Sequence, residues 1–223
     1  LVITGDGCTS RLFRNDRGER FVDVTEAAGV GTDENGMGSL LRDLDGDGHV
    51  HDVLVIGGGP AGAATGYWLG VAGHDVVVVE RKTFPRVKTC GDGLTPRAVK
   101  QLTDMGLAPR LEDFHRYDGL RAVAHGISLE LTWPEHPIYP SHGFVVRRCE
   151  LDTMVAEHAV KAGATLLQGT EAVAPLLHDG LVVCATVKYK ETGETLEIRA
   201  RYVVVADGAN SRFCRALGLT KRQ

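Results

Sequence analysis

Residues 52–81, DVLVIGGGPAGAATGYWLGVAGHDVVVVER, decide the fold. Val53 to Ile56 is a short continuous apolar run, as expected of a parallel strand buried on both faces. Gly57, Gly59 and Gly62 follow as GxGxxG. Pro60 suits the first turn of a helix, and the small residues Ala61, Ala63, Ala64 and Gly66 let that helix lie close to a sheet. The chain then returns as DVVVVE, a second buried strand ending in Glu80. Glycines without Cβ atoms allow backbone N–H groups and the positive end of the helix to approach a pyrophosphate. Glu80, 23 positions after Gly57, stands where a carboxylate accepts hydrogen bonds from both ribose hydroxyls and repels a 2′-phosphate. GxGxxG alone could be a turn that merely packs a helix on a strand. Strand, glycine turn, helix, strand and terminal acid in order point to a nucleotide-binding unit. The motif does not separate FAD from NAD.

Upstream, residues 1–51 are rich in Gly and Asp, with short stretches such as RFVDVT at Arg20–Thr25 that suit strands. Asp43, Asp45 and Asp47 alternate through DLDGDG, a spacing that turns successive carboxylates toward one centre, as calcium requires. The alternative is a solvated acidic turn. An EF-hand is excluded because the twelfth loop position is Leu54 instead of a bidentate Glu. RLFRND, RFVDVTEAAGVG, GMGSL and DLDGDGHVHD together resemble one FG-GAP or VCBS repeat of integrin-like β-propellers. The resemblance implies calcium at Asp43, Asp45 and Asp47, although His51 stands where a further Asp usually closes the loop. One such repeat cannot bury its apolar face without neighbours. Asp52 goes with the strand that GGGPAG follows.

Downstream, FPRVKTCGDGLTPRAVKQLTDMGL (residues 84–107), VVRRCELD (145–152) and YVVVADGANSRFCRALGL (202–219) occur in an order used by one flavoprotein group. With GGGPAG they resemble the geranylgeranyl reductase family of FAD-dependent enzymes over residues 52 to about 220. The resemblance implies FAD as cofactor. Its contacts would come from Gly57, Gly59, Pro60, Ala61 and Gly62 in the turn and from Glu80 and Arg81 toward the adenosine. Cys90, Gly91, Arg148, Val173, Asp207 and Gly208 would complete the set. Read without the resemblance, YVVVADG is another buried strand ending in an acid and a glycine, where ligands of such sheets collect. It could equally be a strand-to-helix turn capped by Asn210 or Ser211. Arg148 alone would be a solvated or ion-paired arginine.

Leu151, Val155, Ala159 and Ala162 recur at helical spacing and predict an amphipathic helix packed on the sheet. EAVAPLL, LVVCATVKY and TLEIRA read as short strands separated by HDG and ETGE, a small antiparallel meander. The expected fold is therefore α/β: a Rossmann-like FAD-binding domain of the glutathione-reductase type (52–223) with an antiparallel meander. A short β-rich appendage (1–51) precedes it.

A member of this family would reduce flavin with NADPH or a protein electron donor and saturate double bonds of a polyprenyl lipid or quinone. An isolated alkene needs a proton donor opposite the hydride. Cys90 and Asp92 in CGDG are the candidates, flanked by glycines that permit close approach. Cys90 could instead be an inert small hydrophobe. Trp133, Pro134 and Tyr139 could line a lipid tunnel or simply pack. The chain ends soon after the DG turn, before the substrate motif and third FAD motif of the family, so partial or weak FAD binding is expected. A leading Leu1 and the switch of texture near residue 51 suggest a junction of two pieces.

The net charge of −4, with no basic excess, disfavours nucleic acid. Five scattered cysteines without metal-ligand spacing suit a reducing compartment, hence a cytoplasmic protein that associates peripherally with membrane through its lipid substrate. An aromatic-ring monooxygenase is the rival enzyme, since it shares GxGxxG and the DG turn. A calcium-dependent interaction module built on residues 1–51 is the rival from another class.

Overall fold

The computed structural model describes residues 2–3, 11–16, 20–23, 50–178 and 180–219. It divides into two compact units, Leu1–Phe84 with Asp152–Gln223, and Pro85–Leu151. In chain order the first unit opens with β1 (Val2–Ile3), β2 (Arg11–Asp16), β3 (Arg20–Asp23), β4 (His51–Ile56), α1 (Pro60–Val71) and β5 (Val76–Glu80). The second holds β6 (Gly93–Leu94), α2 (Pro96–Asp104), α3 (Ala108–Leu111), β7 (His115–Tyr117), β8 (Gly119–Ala124), β9 (Ile127–Thr132) and β10 (Gly143–Val145). Helix α4 (Arg148–Lys161) begins in the second unit and belongs to the first from Asp152. The first unit closes with β11 (Thr165–Gln168), β12 (Thr170–His178), β13 (Leu181–Tyr189), β14 (Thr195–Val205) and α5 (Arg212–Ala216).

A parallel sheet runs β11-β5-β4-β14. Its strands are apolar throughout because both faces are covered, as the sequence predicts. Leu54, Ile56, Val77, Val79, Val203 and Val205 face one cluster, with Ala185, Val187 and Ile198 of the meander and Phe213 of α5. Val53, Val55, Val76, Val78 and Val204 face the other, with Ala159 of α4, and Tyr67 and Leu69 of α1 packed against it. Val76 to Val79 are at most 2% exposed, and each contributes about 1.5–3 kcal/mol of burial. Gly66 explains how close α1 lies: a Cβ there would meet Val78 Cγ2 at 2.9 Å.

One sequence expectation changes in detail. TLEIRA and YVVV read as separate strands, yet β14 is one strand of 11 residues. Its first half pairs antiparallel with β13 (Lys188↔Thr195 to Cys184↔Arg199), and its second half pairs parallel with β4 (Ala200↔His51 to Val205↔Ile56). No Gly or Pro interrupts residues 195–205, so nothing local breaks the strand. The predicted meander is present as β12-β13-β14. Beyond β14, β1 pairs parallel (Val2↔Val204, Ile3↔Val205), and β2 and β3 continue the sheet antiparallel.

The second unit carries a small antiparallel sheet, β6-β10-β7, and a separate two-stranded hairpin, β8-β9. Gly143 in β10 is required by a neighbour: a Cβ there would lie 2.5 Å from the Tyr117 ring, whose hydroxyl donates to Leu94 O at 3.0 Å. The hairpin alternates by face. Leu120 opposes Leu131 and Ala122 opposes Leu129 on one side, while Arg121 opposes Glu130 on the other and forms an ion pair with it.

Candidate functional site

In the first unit the glycine turn, Glu80 and the DG turn come together at the carboxyl ends of β4, β5 and β14. Gly57 has φ +100°, and a Cβ on it would meet Ala206 O at 2.6 Å and Asp207 Cα at 2.8 Å. A Cβ on Gly62 would lie 1.8 Å from Gly57 O, so the first turn of α1 folds directly over the glycine turn. Gly59 is the N-cap of α1 with extended backbone and no side-chain cap, and Pro60 begins the helix. Pro60 and Ala61 are exposed, so this helix terminus is open to a ligand. Oriented N–H groups and the positive dipole end meet there without side chains in the way, which is the arrangement a diphosphate requires.

Glu80 is 6% exposed and fixed by the main chain. Its Oε2 accepts from Gly58 N–H at 2.9 Å and its Oε1 from Lys82 N–H at 3.0 Å. The sequence reading assigned the carboxylate to ribose hydroxyls alone. The structure adds a clamp on the turn, because the two oxygens hold the N–H groups of Gly58 and Lys82. Gly58, absent from the expected set, is therefore tied to Glu80; the middle glycine of the GGG run was its signal. Arg81, next in sequence, is exposed.

Asp207 and Gly208 are exposed beside Gly57, and Gly208 has φ +94°. The strand-to-helix turn is present, because Ser211 Oγ accepts from Cys214 N–H at 2.9 Å and caps α5, and Asp207 stays exposed at the strand end. Val173 sits in β12 at a register shift between Ala172 and Ala174, opposite no partner in the ladder, and is 47% exposed. Such a bulge releases backbone groups from strand pairing.

In the second unit Cys90 and Gly91 are exposed, and a Cβ on Gly91 would meet nothing within 4 Å. Asp92 differs. Its carbonyl accepts from Val146 N–H at 2.8 Å and its Oδ1 from Arg148 N–H at 3.0 Å. Asp92 and Arg148, far apart in sequence, are thus neighbours. Trp133 packs 6.4 Å from the Tyr117 ring, and Tyr139 stacks on His136 at 4.6 Å. Pro134 is exposed. Burial pushes the His142 imidazole pKa down, with Arg116 adding to the shift and Asp118 opposing it.

Cys184 and Cys214 are buried in the first unit, and burial raises both thiol pKa values, Cys184 to about 11. Asp43, Asp45 and Asp47 lie outside the described residues. Among the described residues no group of three or more His, Cys, Asp or Glu could hold a metal ion, and no helix is long and apolar enough to cross a membrane.

Residues 50–223 match the family model described as an FAD binding domain. Menaquinone reductase from Mycobacterium tuberculosis is 45% identical over 169 residues, covering 75% of this chain and 40% of that protein. Digeranylgeranylglycerophospholipid reductase 1 from Methanopyrus kandleri is 33% identical over 173 residues, covering 75% of this chain and 42% of that protein. Among solved structures, a myxobacterial chondrochloren halogenase, described as FAD-dependent, superposes with a TM-score of 0.69 at 26% identity, covering 76% of this chain and 40% of that one. The chain spans about two fifths of the length of the curated relatives it matches. Glycine turn, clamped Glu80 and matched family model agree: the chain belongs to the FAD binding domain family.

Proposed function

We propose that this chain is the cofactor-binding part of an FAD-dependent reductase that saturates isoprenoid double bonds of a polyprenyl lipid or quinone. The 45% identity to a menaquinone reductase, which runs through most of residues 52–223, is the observation that carries this reading. The residues fit the cofactor, because Gly57 and Gly62 pack backbone on backbone too tightly for any Cβ and leave the start of α1 at exposed Pro60 and Ala61 bare of polar side chains. When bound, the flavin supplies hydride chemistry to an alkene that has no carbonyl to polarise.

The chain's own residues then have separate tasks. Gly57, Gly59, Pro60, Ala61 and Gly62 present backbone to the diphosphate. Glu80 holds the ribose while keeping the turn in place, and Arg81 flanks the adenosine. Val173, released from its ladder, and Asp207 with Gly208 complete the first unit's contacts. In the second unit Arg148, Gly91 and Cys90 face the cofactor in this reading, and exposed Cys90 holds the proton for the second alkene carbon. The electron donor is NADPH or a redox protein. The protein works in the cytoplasm at a membrane surface, where a polyprenyl substrate resides. Calcium at Asp43, Asp45 and Asp47 is a separate proposal for residues 1–51, resting on their spacing.

The test is an FAD titration of the purified chain, followed by anaerobic incubation of reduced protein with a menaquinone and mass spectrometry of the product. A flavin spectrum and a gain of two hydrogens in the prenyl tail are expected. In a parallel incubation under labelled O2, oxygen in the product would instead identify a monooxygenase, and no FAD uptake would remove the cofactor assignment.

A further inference from the structure

We propose that Asp92 is a positioning residue that clamps the CGDG loop to the start of α4 and so sets where Arg148 stands. Its consequence for the cofactor rests on the reading that Arg148 faces FAD; the clamp itself does not.

The need for a clamp follows from the helix start. Arg147 O accepts from both Glu150 N–H and Leu151 N–H at 2.9 Å, so Arg147 is the cap residue and Arg148 the first residue inside. The N–H of Arg148 has no acceptor within the helix. A cap side-chain oxygen serves the N–H of the second or third helical residue, so even a better cap than the donor-only guanidinium of Arg147 would leave the N–H of Arg148 to another acceptor. Arg147 turns outward instead, its Nε donating to Glu150 Oε2 at 2.8 Å. The acceptor comes from 56 positions away, as Asp92 Oδ1 at 3.0 Å from Arg148 N.

The same residue is held by its main chain. Asp92 O accepts from Val146 N–H at 2.8 Å, and the next two residues continue as β6 against β10, Gly93↔Val145 and Leu94↔Phe144. Asp92 therefore closes a short ladder with its backbone and caps a helix with its side chain. Exposed Cys90 lies two residues before this fixed point, and Arg148 begins the helix at it. The carboxylate that the sequence offers as a proton donor acts by holding these two candidates in register.

Variants of the full chain separate positioning from simple helix capping. In Asp92→Ala, amide exchange at Arg148 should accelerate about tenfold or more, as expected on loss of a charged acceptor, and FAD should bind about tenfold more weakly. Asp92→Asn keeps an acceptor oxygen and should stay within about threefold of the parent in both measurements. Adding Arg147→Ser to Asp92→Ala creates a local capping box with Glu150, which serves the helix without the loop. That double variant should regain thermal stability, while exchange at Arg148, which the box does not serve, stays fast and FAD binding stays weak. Unchanged Arg148 exchange in Asp92→Ala, or an Asn variant as damaged as the Ala variant, would overturn the clamp. Full recovery of FAD affinity in the double variant would reduce Asp92 to a cap. If the parent takes up no FAD, the cofactor reading fails and exchange at Arg148 still decides the clamp. Should Asp92→Ala not fold, the Asn variant and the double variant carry the same comparison.

Discussion

Glu80 shows how a single buried acid organises the nucleotide turn, because its two oxygens hold the N–H groups of Gly58 and Lys82. Removing it in Glu80→Ala leaves a buried donor at Gly58 and should cost about 1–3 kcal/mol in urea unfolding. FAD affinity should fall with it. Gly62 is stricter still, since an added methyl would lie 1.8 Å from Gly57 O. Gly62→Ala should destabilise by about 1–3 kcal/mol or more and abolish flavin uptake, measured by denaturant titration and fluorescence quenching. The cysteines should sort by burial and ionisation. With its pKa near 11, the Cys184 thiol is only about one part in a thousand thiolate at pH 8, and it is also buried. Maleimide should label exposed Cys90 and leave Cys184 and Cys214 untouched until the protein unfolds, as peptide mapping can show. The sign of the linkage follows. The folded state keeps the Cys184 proton to a higher pH than the unfolded chain. This contribution is thus complete below the ordinary thiol value near 9 and is lost as pH rises toward 11.

At the scale of elements, β14 is the strand on which the first unit turns. One uninterrupted run of 11 residues closes the antiparallel meander and then supplies a parallel core strand that delivers Asp207 next to Gly57. Its outer edge also receives β1. Ala206 N–H donates to Ile56 O at 2.7 Å, so the strand's alternation turns the N–H of Val205 away from β4 and toward β1. Ile3→Pro removes a ladder donor and disfavours the pairing. Exchange at the Val205 amide should then accelerate several-fold, while Ala206, bonded to β4, stays protected; equal protection at Val205 in both proteins would place the N-terminal strand elsewhere. The hairpin β8-β9 shows the other extreme. Leu120, Ile127, Leu129 and Leu131 are all more than half exposed on two strands that pair with nothing else among the described residues. An isolated hairpin of this kind is marginally stable in water, so its amides should exchange faster than those of the parallel sheet.

For the whole molecule the cofactor is itself a stabilising component. A ligand bound by the folded state at a hundred times its Kd adds about 2.7 kcal/mol. FAD should therefore raise the thermal midpoint of the parent chain and leave that of Gly62→Ala unmoved. Much of this architecture was legible in the residues. The run Val53–Ile56, the glycine spacing and DVVVVE specify strand, turn, helix and strand through local chemistry: burial on both faces, positive φ at Gly57, Pro60 in the first turn. The meander could be read from its alternation and its HDG and ETGE turns. The continuity of β14 could not, because two apolar stretches separated by Arg199 and Arg201 look like two strands until their partners are known. Gly58 as the donor to Glu80 and Asp92 as the cap of Arg148 were equally hidden. Their meaning lies in who stands opposite after 22 and 56 intervening steps of chain. The sequence by itself determined the nucleotide-binding class, since backbone conformation and strand burial depend on near neighbours. Only the tertiary structure decided which acids hold the turn and the helix, because a hydrogen bond between distant residues exists only once packing has brought donor and acceptor within about 3 Å.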